Sequence, residues 1–249
     1  MERSQFYATT SLRTNPKASS AYFSWTQIIC CWFLRTCSTA SESVLHRDDT
    51  PSRANQLKLA LIGTHGVGKT TLAYESCSLL KKADHNVELV TEVARNSPFP
   101  VNAATTLEGQ LWILHAQIAA ELEASRRAPN VICDRAVLDN YCYLVNKFGR
   151  QPQLESWLAW WMETYDLLVG VPPLPGGILP DGFRSEDRDF QERIHNLLIE
   201  LLSQPPFGGL GRKIFWLEPR ERRVWGERIF AHAAPLLYPA EQARSAGAF

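Results

Sequence analysis

Short runs rich in apolar residues alternate with amphipathic stretches along the chain from residue 57 onward. Five runs have strand character: Lys58–Ile62, Asn86–Thr91, Asn130–Cys133, Asp166–Val171 and Lys213–Leu217. Between them, apolar residues recur in steps of three and four. Leu107, Leu111, Leu114, Ile118 and Leu122 form one stripe; Val137, Tyr141, Leu144, Val145 and Phe148 form another; Leu154, Trp157, Leu158 and Trp161 form a third. A fourth carries Phe190, Ile194, Leu197, Leu198 and Leu201. Ser185 opens it, with Glu186 and Asp187 where a helix start favours negative charge. Buried strands alternating with helices predict an α/β fold, a parallel sheet covered on both faces. In such sheets a ligand lies at the carboxyl ends of the strands.

The first strand run leads directly into Gly63-Thr64-His65-Gly66-Val67-Gly68-Lys69-Thr70-Thr71, followed by helix-forming sequence. This is a complete G-x-x-x-x-G-K-[ST] phosphate-binding loop in its proper setting. Glycines at 63, 66 and 68 let the backbone curl so that successive N–H groups face an anion. Lys69 brings a compact charge to the β- and γ-phosphates, the Thr70 hydroxyl can ligate Mg²⁺, and a helix beginning near Lys69 adds its positive dipole end. The loop predicts binding of a nucleoside triphosphate.

Composition narrows the class. The 26 basic and 26 acidic residues balance, which gives no support to a nucleic-acid coat or a membrane-surface protein. Six cysteines (Cys30, Cys31, Cys37, Cys77, Cys133 and Cys142) form no C-x-x-C pair, against a zinc ribbon or redox dithiol. The last three sit in apolar surroundings, as small buried hydrophobes do, and a reduced, cytoplasmic compartment fits them best. Residues 1–55 differ in composition, with Ser, Thr and Asn prominent around an apolar patch, Ala21–Leu34, too short and polar to span a bilayer. Arg13 and Lys17 before that patch have a signal-peptide flavour, but a nucleotide enzyme finds no ATP outside the cell. The expectation is a disordered or loosely packed leader, then a nucleotide-binding domain over 56–233 and a tail over 234–249.

Candidate chemistry follows the strand ends. The third run closes with Asp134-Arg135, where Asp134 would hold Mg²⁺ through its water shell. Hydrolytic ATPases place Glu after that Asp to polarise a water. Arg135 suits an anionic group or transition-state charge instead; the alternative is that both residues cap the next helix. Glu92, ending the second run, can take a proton from an acceptor hydroxyl, and Arg95 can grip an acceptor or phosphate. A solvated charge pair is the alternative there. Asp139 suits a ribose or base contact, or equally a surface carboxylate. Gln110, Trp112 and Gln117 offer amides and a stacking ring, although packing explains each of them as well. Gly170–Gly182, dense in Pro and Gly, reads as a surface loop or as a lid near 170–190. If a lid, Arg184 would neutralise charge during transfer, while Arg188 and Arg193 are helix-surface charges. The run Glu218–Arg223 is a solvated face or an adenine rest. Asn146-Lys147-Phe148-Gly149 lacks the Asp of a guanine motif.

The set G-x-x-G-x-G-K-T-T, T-E-x-A-R, D-R-x-x-x-D-x-Y and Y-D-x(n)-D-G-x-R resembles the P-loop domain shared by the ribosylnicotinamide-kinase part of NadR and related AAA ATPase or kinase domains. More distantly it is similar to thymidylate and deoxynucleoside kinases. The resemblance covers roughly Leu57 to Phe230. It implies a P-loop three-layer sandwich with sheet order 2-3-1-4-5, and ATP with Mg²⁺ as donor. It places Lys69 and Thr70 at the donor-phosphate and metal positions, Glu92 as the strand-two carboxylate, Asp134-Arg135 as the strand-three pair, and Arg184 as the lid arginine. The leading reading is an ATP-dependent phosphotransferase with a small nucleoside-like or nucleotide-like acceptor and no nucleic-acid or membrane partner. The alternative is a regulatory ATP-binding module.

Overall fold

In the computed structural model, which describes residues 56–101, 104–174 and 188–238, the five apolar runs join one sheet. Its strands are β1 (Leu57–Ile62), β2 (Val87–Val90), β3 (Asn130–Cys133), β4 (Leu167–Gly170) and β5 (Ile214–Trp216). They lie in the order β2-β3-β1-β4-β5, and every neighbouring pair is parallel. This is the order that the family resemblance implies. Polar flanking residues have other work: the Asp166 carboxylate, one residue before β4, accepts from the Lys58 backbone N–H at 2.8 Å.

Six helices among the described residues cover the sheet: α1 (Lys69–Lys82), α2 (Leu107–Arg127), α3 (Val137–Phe148), α4 (Pro152–Met162), α5 (Arg188–Ser203) and α6 (Trp225–Leu237). Side chains on a strand point alternately to its two faces. On β1, Leu57, Leu59 and Leu61 therefore pack with Leu72 and Leu80 of α1 and Ile229 of α6. Ala60 and Ile62 pack with Leu114, Tyr141, Leu158 and Leu198 of α2 to α5. The two clusters are the two cores of an α/β/α sandwich.

The stripe expected on α2 is displaced. Leu107 and Leu122 are exposed, whereas Gln110, Gln117 and Glu121 are buried beside Ile113, Leu114 and Ile118. Glu121 explains the shift. Its carboxylate lies 2.7 Å from Lys58 Nζ and accepts from Gln117 Nε2, Trp161 Nε1 and Tyr165 OH at 2.9, 2.9 and 2.7 Å. A charge so fully partnered can be buried, and counting apolar positions does not reveal it.

Cys77, Cys133 and Cys142 are free and buried, as their apolar settings suggested. Burial pushes the Cys77 thiol up to about 11, so it behaves as a small hydrophobe. Among the described residues, no helix is long and apolar enough to cross a membrane. The leader, Arg184, the Ser185 cap and residues 239–249 lie outside the described residues.

Candidate active site

β1 ends at Ile62, and the chain turns away from the sheet at Gly63, with φ of +148°. A Cβ there would stand 2.5 Å from the Val171 carbonyl oxygen, so the turn requires glycine. Gly68, at φ +94°, hands the loop to α1, whose first turn has no acidic residue and whose N-cap makes no side-chain bond. The helix start is therefore left open to an anion from outside. Lys69 is buried, and its Nζ donates to the carbonyl oxygens of Gly63 and Thr64, each at 2.6 Å. Burial lowers its pKa to about 7, and Arg135 pushes the same way, while Asp139, Asp134 and Glu92 oppose the shift. Two neutral carbonyls satisfy the ammonium poorly, and phosphate oxygens would satisfy it better.

Thr70 Oγ1 donates to Asp134 Oδ2 at 2.6 Å, which joins the loop to the end of β3. Two protein oxygens side by side suit Mg²⁺, which keeps several waters and takes its other ligands from phosphate. Among the described residues, no group of three or more His, Cys, Asp or Glu could hold a metal by itself. The donor set fits a metal that arrives with its nucleotide.

Arg135 is buried and held at φ +123°, a conformation costing a non-glycine residue about 1–3 kcal/mol. Its Nε and Nη2 bind Glu92 Oε1 at 2.9 and 2.7 Å, and its carbonyl accepts from Gln117 Nε2 at 3.1 Å. The guanidinium carbon lies 5.4 Å from the centre of the Tyr143 ring. Nη1 is buried and has no hydrogen-bond partner among the described residues. Glu92 spends its other oxygen on Arg95 Nε, at 3.1 Å. The solvated-pair alternative for Glu92 thus does not describe the structure: Glu92 is buried between two arginines.

Asp139 is not the surface carboxylate that one reading expected. It is buried, Oδ1 accepting from the Gly63 N–H at 2.7 Å and Oδ2 from the Ala136 N–H at 3.0 Å. Burial raises its pKa, against the pull of Lys69 and Arg135. The Ala136 contact was legible as an acid three residues into a helix; the Gly63 contact was not.

The structure brings Lys69, Thr70, Asp134, Arg135 and Glu92 together at the carboxyl ends of β1, β2 and β3. Thr71 is exposed on α1, and Arg188 and Arg193 are exposed on α5. Gln110 is buried and donates to Thr105 Oγ1 at 2.8 Å, and Trp112 is half-buried. Glu218–Arg223 falls on a mostly exposed turn. The sequence predicts α5 but does not reveal that its start touches the phosphate loop. Thr64 Oγ1 donates to the Gln191 carbonyl at 3.0 Å, and Gln191 Nε2 donates to the His65 carbonyl at 2.7 Å. Phe190 rests 5.3 Å from the His65 ring and 6.0 Å from that of Tyr143. No local pattern marks Gln191, because both its partners lie across the sheet end.

The structure of deoxyadenosine kinase from M. mycoides with dCMP and dCDP superposes with a TM-score of 0.50 at 17% identity, covering 72% of this chain and 99% of that one. NadR in complex with NR gives a TM-score of 0.52 at 18% identity over 67% of this chain. The match spans 46% of the NadR chain, less than half its length. At these identities the likeness is one of fold. No curated protein matches. The family model described as an AAA domain matches residues 58–208, from the start of β1 past the end of α5. That span holds the loop, both strand-end acids and Arg135, and the chain belongs to the AAA domain family.

Proposed function

We propose that the chain is a P-loop phosphotransferase that passes the γ-phosphate of ATP to a small nucleoside-like or nucleotide-like acceptor. The observation carrying this reading is Arg135. Where a hydrolase would hold a carboxylate to polarise water, the chain holds a buried guanidinium with two nitrogens on Glu92 and with Nη1 lacking a hydrogen-bond partner among the described residues. A buried charged donor left unpaired is costly, and an oxyanion at the loop relieves that cost. The fold shared with a deoxyadenosine kinase seen with dCMP and dCDP, and with NadR seen with NR, is consistent with the acceptor class.

On this reading the loop amides and the start of α1 hold the triphosphate, and Lys69 leaves its carbonyls for the phosphate oxygens. Thr70 and Asp134 would hold Mg²⁺, which neutralises charge on the phosphates when bound. Glu92 gives up its exposed Arg95 contact on Oε2 to orient the acceptor hydroxyl. The hydroxyl oxygen bonds to the γ-phosphorus, the bond from that phosphorus to the β–γ bridging oxygen breaks, ADP leaves, and Glu92 takes the hydroxyl proton late. Arg135 spreads charge off the transferring group, and Arg184 is assigned the same task from a lid. A cytoplasmic setting, where ATP is supplied, belongs to the same proposal.

The test is incubation with γ-labelled ATP, Mg²⁺ and a panel of nucleosides and nucleotides. Label on an acceptor, lost in Lys69→Ala, is the expected result. Label released only as free phosphate supports the regulatory ATP-binding module, for which the contact of Gln191 with the loop would carry the signal.

A further inference from the structure

The Gly63 turn is held on both sides by charged groups. Asp139 Oδ1 takes its N–H at 2.7 Å, and Lys69 Nζ takes its carbonyl oxygen at 2.6 Å. The lysine also takes the next carbonyl, of Thr64, at 2.6 Å. The Lys69 ammonium has three N–H donors, and two of them are spent on these carbonyls. Reaching two phosphate oxygens therefore frees at least one of the carbonyls leaving Gly63, while the peptide entering Gly63 remains anchored by Asp139. That anchor is well made. Asp139 is 1% exposed, and its second oxygen is fixed on the Ala136 N–H at 3.0 Å, at the start of α3. The same carboxylate thus ties the first residue of the phosphate loop to the segment that carries Arg135.

We propose that Asp139 is a positioning residue of the phosphate site, holding the Gly63 turn in its phosphate-facing shape while Lys69 changes partners. This rests on the phosphate-site reading above. A loop already anchored loses less freedom on binding, so its ligand binds more tightly. The two roles of Asp139 need both of its oxygens. An asparagine keeps one acceptor for two amides, and an alanine keeps none.

The experiment is calorimetric titration of the full chain with ATP and Mg²⁺, well below each variant's melting temperature. It compares wild type, Asp139→Ala, Asp139→Asn and Glu155→Gln. Glu155 is a buried carboxylate partnered by Arg150 and Tyr141, so its loss controls for general destabilisation. Asp139→Ala is expected to weaken ATP binding by about tenfold or more, with Asp139→Asn between it and wild type. Glu155→Gln is expected to stay within about twofold of wild type despite a lower melting temperature. In ¹⁵N-glycine-labelled protein, the Gly63 amide proton is expected to move upfield in Asp139→Ala. Wild-type affinity in Asp139→Ala, or an equal loss in Glu155→Gln, overturns the proposal. If Asp139→Ala does not fold, Asp139→Asn decides: full wild-type affinity with an unmoved Gly63 resonance overturns it, and weakened binding with a shifted resonance upholds it. A wild-type chain that binds no ATP defeats the phosphate-site reading itself, and this inference with it.

Discussion

The pair Glu92–Arg135 offers a quantitative test of how the site is held. Glu92→Ala would leave Arg135, 4% exposed, without the carboxylate that faces two of its nitrogens at 2.9 and 2.7 Å. Breaking a buried pair from one side costs roughly 3–5 kcal/mol, because a charge is left uncompensated. Asp134 and Asp139 remain nearby and favour the arginine's charge, which places the expected cost near the lower end. The bond from Glu92 to Arg95 adds little: that side chain is 40% exposed, and water replaces the contact for less than about 1 kcal/mol. In a domain of this size, each kcal/mol moves the melting temperature by about 2–4 °C, so Glu92→Ala is expected to lower it by roughly 6–12 °C. Arg135→Ala removes the other charge and keeps the strained φ of +123°, since alanine is no freer than arginine there. Strain therefore cancels from a double-mutant cycle. Removing both partners leaves no stranded charge, so the double variant is expected to be more stable than the sum of the singles by about 2 kcal/mol. Denaturant unfolding of all four proteins at neutral pH measures this coupling. Additivity within about 0.5 kcal/mol would refute the buried pair as the organiser of the site.

Two further outcomes are expected. Gly63→Ala places a methyl 2.5 Å from the Val171 carbonyl at a φ that alanine avoids, which should cost on the order of 1–3 kcal/mol and weaken ATP binding; thermal melts with and without ATP check it, and an unchanged melt counts against the turn as drawn. The Arg150 hydrogen bond holds the Glu155 carboxyl below its ordinary value of 4.5, outweighing burial. Between that value and the lower folded one the unfolded chain binds more protons. The stability from Glu155 is therefore present above about pH 4.5 and lost as pH falls through the folded value. Glu155→Gln should flatten the acid limb of a melting-temperature profile, and an identical limb would refute the linkage.

Local chemistry is what the amino-acid order settles by itself. The loop from Gly63 to Thr70 was legible because its function needs particular residues at consecutive positions. Strand β3 was legible because Val131, Ile132 and Cys133 form an apolar run buried on both faces, which looks alike in any setting. The alternation of these runs with helices was enough for the α/β class. Contacts between distant segments lie beyond that reach. The polar inner face of α2 exists because Lys58, Trp161 and Tyr165 converge on Glu121. Glu92 became a buried partner of Arg135 across a separation of 43 residues, and Asp139 reached Gly63 across 76. A carboxylate reads as a surface charge until its partners are known, since burial of charge is decided by how many donors meet it. Those meetings are made by strand order, which brings β1, β2 and β3 side by side and so places the loop, the acids and the arginine at one end of one sheet.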